Sequence, residues 1–236
     1  MVIKMENLFW RDVTKLTDFL EQVERFLRTK FILRLTEKTV SGDLVFFGGY
    51  SWIVLTTDEE EGKYLLLARQ LLSIMPMKYN REKIDVTWEN ADIRAYLNGI
   101  FYQKFSDADK EKIQDTKTNN PATPWFDTPG GNETVDKVFL LSLEELANYL
   151  GDSGQLAKKG WPQDKKDLSK PCIIEDEYNN LHKAINEFGE EFPYWLRSAG
   201  RDSTCAALVR EDGSIDLGGE SVDATAGVRP AIWVKI

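Results

Sequence analysis

His182 is the first side chain to consider as a base or a metal ligand. It is the only histidine in the 236 residues, so a Ser-His-Asp or Cys-His nucleophile system would have to use it. It lies in a predicted helix beside Leu181 and Tyr178, which favours a structural histidine on the helix surface or half-buried. A single histidine also excludes histidine-rich metal sites.

The two cysteines, Cys172 and Cys205, do not form a C-x-x-C pair. Zinc-ribbon and thioredoxin-type sites are therefore excluded at the level of the motif. One disulfide is possible but not required, and the simpler interpretation of each cysteine is a small buried side chain. We therefore expect no catalytic residue and no cofactor at these positions.

Acidic residues near the C-terminus could supply oxygen ligands to calcium, which takes roughly six to eight of them. They are Asp202, Asp212, Asp216, Glu220 and Asp223. Asp212-Gly213 is better explained as a turn, so we expect no metal site. The sequence also lacks a glycine-rich phosphate loop, because Gly48-Gly49 and Gly218-Gly219 are isolated pairs without a following G-K-[ST].

Aromatic side chains in two long irregular stretches are the first candidates for ligand contact. Trp125 and Phe126 lie between prolines in residues 115–136, and Trp161 lies in residues 151–171. Loops of this length inside a compact domain are uncommon and are often functional. Exposed aromatics there would stack on a sugar ring or anchor a protein partner. The alternative is that they plug the loops onto a secondary core.

Arginines around the last strands are the second group of candidates, with Arg201 as the predicted ligand-binding member. The others are Arg197, Arg210 and Arg229. Such a group could bind a carboxylate bidentately, or it could bind the protein's own Asp and Glu side chains. We expect the internal role for Arg229, and core positions for Trp195 and Trp233.

Apolar and alternating runs predict strands toward both ends of the chain. The early ones are residues 44–47, 50–57 and 64–68, with the acidic residues 58–62 as a solvated hairpin turn. A short strand is expected over residues 138–141. The late strands include residues 207–209, 215–217 and 228–236, with turns at Asp212-Gly213 and Gly218-Gly219. Pro230 should lie near the start of the last strand or at an edge.

Helices are predicted between these strands and ahead of them. Asn90 is expected to cap a helix whose buried face is Ile93, Tyr96, Leu97, Ile100 and Phe101. Ser106 and Ser142 each begin a further helix, the second ending near Gly151. A helix over residues 175–188 would bury Tyr178, Leu181, Ile185 and Phe188. Near the N-terminus, an amphipathic helix would carry its apolar stripe on Leu16, Phe19, Leu20, Val23, Phe26 and Leu27.

The bulk composition constrains partners and location. Hydrophobic residues make up 42% of the chain, which is enough for a full core. The formal net charge of -9 argues against nucleic acid and anionic membranes as partners. No window approaches the ~18 uninterrupted apolar residues of a membrane span, and residues 1–10 lack a signal-peptide pattern. We expect a cytoplasmic protein, with a secreted protein that has lost its leader as the alternative and the oligomeric state open.

Six sequence blocks in a fixed order carry a family resemblance. They are G-D-L-V-F-F-G-G-Y-S-W-I-V-L from Gly42, T-W-E-N-A-D-I-R-A-Y-L-N from Thr87, F-S-D-A-D-K from Phe105, D-K-V-F-L-L-S-L-E-E-L from Asp136, W-L-R-S from Trp195 and G-V-R-P-A from Gly227. The chain resembles a bacterial family of domains of unknown function that has the C-terminal signature W-L-R-S … G-V-R-P-A. The resemblance extends over residues 42–236 and leaves the N-terminal helix outside.

That resemblance implies a C-type-lectin-like fold akin to the sulfatase-modifying-factor group. Such a fold is α+β, with small twisted antiparallel sheets, two or more helices and long loops. We therefore expect a helical extension over residues 1–39 and one such domain over residues 40–236. Because the first and last strands pair in this architecture, the final strand should pair with the strand near Phe46, and the irregular middle should project as a recognition surface. Neither the E-P-N nor the W-N-D triplet of sugar-binding C-type lectins is present.

The resemblance implies a binding scaffold without established chemistry. We expect a non-catalytic module that recognises a protein or a carbohydrate through its long loops, with contact residues Trp125, Phe126, Trp161 and Arg201. Two alternatives stay open. One is an oxidoreductase of the sulfatase-modifying-factor type, although the spacing of the two cysteines does not match the thiol pair of formylglycine-generating enzymes. The other is an interaction or scaffold protein that acts through its N-terminal helix.

Overall fold

The computed structural model describes residues 33–34, 41–72, 76–158 and 172–235. These residues form an α+β fold with helices and several small sheets, as the sequence predicts. The amphipathic helix predicted near the N-terminus lies outside the described residues, and so does Trp161.

Fourteen strands and four short α-helices make up the described fold. The strands are β1 (Leu33–Arg34), β2 (Leu44–Phe47), β3 (Tyr50–Asp58), β4 (Lys63–Ala68), β5 (Met77–Lys78), β6 (Thr116–Thr118), β7 (Thr134–Asp136), β8 (Phe139–Leu140), β9 (Ile173–Ile174), β10 (Tyr194–Ala199), β11 (Cys205–Val209), β12 (Ile215–Ser221), β13 (Thr225–Ala226) and β14 (Pro230–Lys235). The helices are α1 (Asp92–Tyr96), α2 (Asp107–Lys110), α3 (Leu143–Leu150) and α4 (Asn179–His182).

Two sheets carry most of the core. The larger has the strand order β1-β2-β3-β4-β14-β8, and all of its pairs are antiparallel except β1 with β2. The smaller has the order β10-β11-β12-β9 and is antiparallel throughout. Two further sheets have two strands each, β13 with β5 and β6 with β7.

The final strand pairs with β4 and β8, so the expected pairing with the strand near Phe46 is wrong. That strand, β2, lies two positions further along the same sheet. The reason is burial: most residues of β4 and β14 are buried, which suits central strands of a sheet. In β2, by contrast, Phe46 remains exposed. Pro230 is the first residue of β14, as predicted.

The predicted hairpins are largely confirmed, with one exception. The acidic turn between β3 and β4 is exposed at its tip, and a hairpin turn at Asp212-Gly213 joins β11 to β12. Gly213 has φ +85, and a Cβ there would meet the Asn179 carbonyl oxygen at 1.9 Å, so glycine is required. The turn predicted at Gly218-Gly219 is wrong, because both glycines lie within β12 as part of a β-bulge.

The first helical region departs from the predicted α-helix. Its N-cap is Ala91 rather than Asn90, which ends a preceding 3-10 turn (Trp88–Asn90). After α1 the chain continues as a π-helical turn, Leu97–Phe101. Because a π turn holds more residues than an α turn, Ile93, Leu97 and Phe101 stay buried, whereas Ile100 is 66% exposed instead of buried as predicted.

Two of the predicted helix starts are confirmed. The Ser142 hydroxyl accepts from the Glu145 amide, and the Glu145 carboxylate accepts from the Ser142 amide, which completes the capping box of α3. Ser106 likewise caps α2 by accepting from the Asp109 amide. The end of α3 is Gly151, with φ +92, as predicted.

The helix predicted over residues 175–188 is reduced to the four residues of α4. Leu181 and Phe188, expected on its buried face, are exposed. Beyond the helix the Asn186 side chain accepts hydrogen bonds from the amides of Phe188 and Glu190. Such local side-chain bonds compete with helical ones, and the backbone at Ile185 instead forms bridges to Gln70 and Glu191.

His182 is fully buried and structural, deeper than the surface or half-buried position expected of it. Its Nδ1 lies 3.1 Å from the Gly213 carbonyl oxygen and its Nε2 lies 2.8 Å from that of Gly151. The imidazole therefore connects the end of α3 to the β11–β12 turn, and both ring nitrogens are occupied by protein contacts.

Arg197 and Glu145 form the central ion pair of the fold. Arg197 Nη2 donates to Glu145 Oε1 at 2.7 Å, and Nη1 donates to Glu145 Oε2. The Arg197 side chain is only 3% exposed, so its charge depends on this partner.

We expect Glu145→Ala to destabilise the protein by about 3 kcal/mol, because it leaves a buried guanidinium without its carboxylate. Chemical denaturation of the two proteins measures this difference. The matched control is Glu144→Ala at the exposed neighbouring position of α3, for which we expect a change below about 0.5 kcal/mol. Equal losses from the two variants would contradict the assigned role of Glu145.

Candidate functional site

Trp125, the first ligand-binding candidate, is buried instead of exposed. Its Nε1 donates to the Leu156 carbonyl oxygen at 3.2 Å, and its ring belongs to the main core cluster. Phe126 is half-buried and packs against the same cluster. The loop aromatics thus attach their loop to the core, which is the alternative interpretation of the sequence.

The described part of the first irregular stretch is held down at several points and does not project freely. The Thr123 hydroxyl donates to the Ala199 carbonyl oxygen at 2.6 Å. Arg197 donates from Nη2 to the Asn119 carbonyl oxygen and from Nε to the Asn120 side chain. These contacts hold the segment from Asn119 to Thr123 against β10.

Arg201, the remaining described candidate, lies at the β-bulge of the smaller sheet. Its amide donates to the Gly218 carbonyl oxygen at 2.9 Å, and its charge acts on Cys172, Cys205 and Asp202. It lines neither of the two cavities described below. Trp125 and Phe126 pack on the core and Arg201 lies at the bulge, and none of the three lines either of these cavities.

The two cysteines are not joined in a disulfide and are not activated as nucleophiles. Burial raises the pKa of the Cys172 thiol, with an opposing effect of Arg201. Burial, followed by the charge of Asp202, raises the pKa of Cys205. Since the thiolate is the reactive form, these environments do not favour thiol chemistry.

Three of the five carboxylates considered for calcium accept hydrogen bonds within local turns. Hydrogen bonds from the Ser214 hydroxyl and amide hold the pKa of Asp212 below its ordinary value. A bond from the Ser221 hydroxyl lowers the pKa of Asp223. Burial would raise the pKa of Asp202, but bonds from Thr204 outweigh it. Within the described ranges, no group of three or more potential ligands could hold a metal ion.

A groove lies on the face of the smaller sheet. Its volume is about 230 Å³, and we call it the sheet groove. It is lined by Pro193, Trp195, Leu208, Arg210, Glu211, Asp216, Glu220, Thr225 and Ala226. The floor is apolar and the rim is charged, the combination usual in binding sites.

Strand register builds the floor of the sheet groove. Trp195 of β10 pairs with Leu208 of β11, which pairs with Asp216 of β12, so the three side chains form one row on one face. Two contacts hold the Trp195 ring in place. Its Nε1 donates to the Met77 carbonyl oxygen at 2.8 Å, and the Tyr79 ring packs edge-on against it.

The β-bulge determines where Glu220 enters the rim. Between the pairs Leu208–Asp216 and Ala206–Glu220, one residue of β11 faces residues 217–219 of β12. Gly219 adopts φ +67, and a Cβ there would lie 2.0 Å from the Ala206 carbonyl oxygen, so only glycine permits this bend. The Gly219 amide donates to Asp216 Oδ1, which stabilises the bulge.

The charges of the rim are only partly paired. Arg210 donates from Nε and Nη2 to Asp216 Oδ2, at 3.2 and 2.8 Å. Asp216 is buried by this pair, whereas Glu211 and Glu220 are exposed. In the part of the chain that the structure describes, no hydrogen bond or ion pair engages the side chains of Glu211 and Glu220.

A second, more polar cleft of about 200 Å³ lies where β14 meets the β3–β4 hairpin. Trp233, expected in the core, is half-buried and lines it. The other lining residues are Asp58, Lys63, Gln114, Asp115, Thr116 and Lys117. We call this the Trp233 cleft.

A family model described as "Domain of unknown function (DUF6273)" matches residues 61–236. The chain belongs to the DUF6273 family. The DUF6273 region begins with β4 and ends with β14, and these two strands are paired neighbours in the larger sheet. The sheet groove and most of the Trp233 cleft lie within it, whereas the sequence block from Gly42 precedes it.

Neither curated proteins nor solved structures gave a match to the chain. None of the helices in the described ranges has the length and apolar character required to cross a membrane.

Sequence reasoning missed most residues of the sheet groove, including Leu208, Glu211 and Thr225. The hairpin at Asp212-Gly213 was recognisable, and strand alternation then places Leu208 and Arg210 on one side. The position of Glu220 could not be predicted from the sequence, because Gly218-Gly219 resembles a turn. That these glycines form a β-bulge depends on the partner strand.

We expect both thiols to react with iodoacetamide more slowly than free cysteine at neutral pH, with buried Cys172 the slower, because their raised pKa values reduce the thiolate fraction. Mass spectrometry over a time course measures the two rates, and the urea-unfolded protein is the control in which both should approach the rate of free cysteine. A folded-state rate above that of free cysteine would instead support the oxidoreductase alternative.

Proposed function

We propose that this protein is a non-catalytic binding module that captures a protein partner in the sheet groove. The observation that supports this proposal is a preformed concavity with an apolar floor and a charged rim, built on paired strands. A side chain of a partner would bury against Leu208 and Ala226 while the rim interacts with polar atoms around it.

The floor of the sheet groove is rigid, which favours binding. Trp195, Leu208 and Ala226 are all buried, and backbone pairing on both sides fixes β11. A site on such elements loses little conformational entropy when it binds.

We further propose that the architecture is C-type-lectin-like, a scaffold used widely for recognition. The pairing of β4 with β14, the first and last strands of the family region, supports this assignment. The small antiparallel sheets and short helices agree with it. Fold alone does not specify a ligand, so the proposed partner rests on the groove.

The composition supports two further elements of the proposal. A net charge of -9 disfavours nucleic acid and anionic membranes as partners. Two cysteines that do not form a disulfide fit a reducing compartment, and we propose a cytoplasmic location.

The decisive variant is Thr225→Trp, which fills the groove from an exposed rim position without removing a core side chain. Peptides would first be selected from a random phage-displayed library on the wild-type protein. We expect their affinity for Thr225→Trp to fall at least about tenfold, since a single buried anchor contributes on the order of 2 kcal/mol, with an unchanged melting temperature.

The matched control is Gln103→Trp, at an exposed position outside both cavities, which should bind the selected peptides like wild type. Peptides that bind Thr225→Trp as tightly as wild type would refute the groove as the site. A library that yields no enriched peptide would refute peptide capture.

The Trp233 cleft favours a second candidate function, carbohydrate binding. A half-buried indole beside amide, hydroxyl, carboxylate and ammonium groups can stack on a sugar ring and bond to its hydroxyls. This interpretation transfers the expected aromatic contact from the loops to β14.

A glycan array probed with wild type and Trp233→Leu tests this candidate. Leucine keeps an apolar side chain in the strand but removes the stacking face, so we expect loss of any array signal while the melting temperature falls only modestly. Thr225→Trp is the control that should keep the signal. A signal that survives Trp233→Leu would place the carbohydrate elsewhere.

A further inference from the structure

The sheet groove has a charge imbalance that bears on the kind of side chain it accepts. Its lining holds three carboxylates, those of Glu211, Asp216 and Glu220, and one guanidinium, that of Arg210. The groove is therefore acidic as well as apolar.

Arg210 is already paired within the protein. Its Nε and Nη2 both donate to Asp216 Oδ2, so this edge of the guanidinium is used and its charge is balanced by a carboxylate. The other oxygen of Asp216 accepts from the Gly219 amide. The pair is thus internally neutral.

Glu211 and Glu220 supply the remaining charge. Both are exposed and lack an internal partner among the described residues, and they enter the rim from opposite sides: Glu211 from the β11–β12 turn and Glu220 from beyond the bulge. An approaching cation would find two carboxylates, while its aliphatic stem would meet Leu208, Ala226 and Pro193.

We propose that the sheet groove receives a lysine or arginine side chain of a protein partner. The stem packs on the apolar floor, as long basic side chains do, and the head group pairs with a carboxylate of the rim, Glu220 or Glu211. The volume of about 230 Å³ accommodates one such side chain and not a folded segment. This inference rests on the proposed capture of a protein partner and adds the chemistry that selects it.

The test uses peptide libraries with random flanking positions and one fixed central residue: lysine, norleucine or glutamate. Norleucine has an aliphatic stem of similar length but no charge. It therefore measures the contribution of the apolar floor to affinity without that of the charged rim. We expect the wild-type protein to capture the lysine library about tenfold more strongly than the norleucine library, and the glutamate library least, because a hydrogen bond to a charged group is worth about one order of magnitude in affinity.

Two variants locate the effect. Glu220→Gln, alone and with Glu211→Gln, should reduce the lysine preference toward that of norleucine without changing norleucine capture. Glu187→Gln makes the same charge change at an exposed position outside the groove and should leave the preference intact.

The outcomes distinguish this inference from the proposed function. Equal capture of lysine and norleucine, with both lost in Thr225→Trp, would overturn the basic-side-chain inference and leave groove binding in place. Capture that survives Thr225→Trp would overturn both. A lysine preference reduced as much by Glu187→Gln as by Glu220→Gln would reflect the overall acidity of the protein and would also overturn the inference.

Discussion

One guanidinium holds the two main sheets together. All five N–H donors of Arg197 have acceptors: the Asn120 side chain, the carbonyl oxygens of Leu140 and Asn119, and both oxygens of Glu145. Its own carbonyl oxygen accepts from the Tyr79 hydroxyl. A single residue of β10 is thus connected to β8 of the larger sheet, to α3 and to the first irregular stretch. Because a buried charge is tolerated only with such saturation, each of these segments has one position relative to the others.

A second buried cation performs a similar role without a carboxylate. Arg229 donates to the carbonyl oxygens of Ala68 and His182 and to the Tyr194 hydroxyl, and it lies over the Tyr194 ring. The internal role predicted for Arg229 is therefore correct, although its partners are carbonyl dipoles and an aromatic face. Through His182, this contact extends to the β11–β12 turn that carries Glu211.

The buried arginines Arg197 and Arg229, with their partners, explain why the groove forms on the smaller sheet. The edge strand β10 is fixed by Arg197, and the turn beyond β11 is fixed by His182, so the face between them is rigid and open. The loop that the sequence favoured for recognition is used instead to satisfy Arg197 and to bury Trp125. The proposed recognition site therefore lies on a sheet face, where Glu211 and Glu220 of the rim are exposed.

Local sequence patterns predict the β2, β3 and β4 strands, the helix caps at Ser106 and Ser142, the Asp212-Gly213 turn and the start of β14 at Pro230. These features follow from interactions within a few residues, which a local pattern records. Tertiary structure alone decided the partner of β14, the burial of Trp125, the bulge at Gly218-Gly219 and the assembly of the groove. Each of these depends on residues that are distant in sequence and compete for the same buried contacts. No single segment therefore determines the strand order, the exposure of a side chain or the position of a bulge.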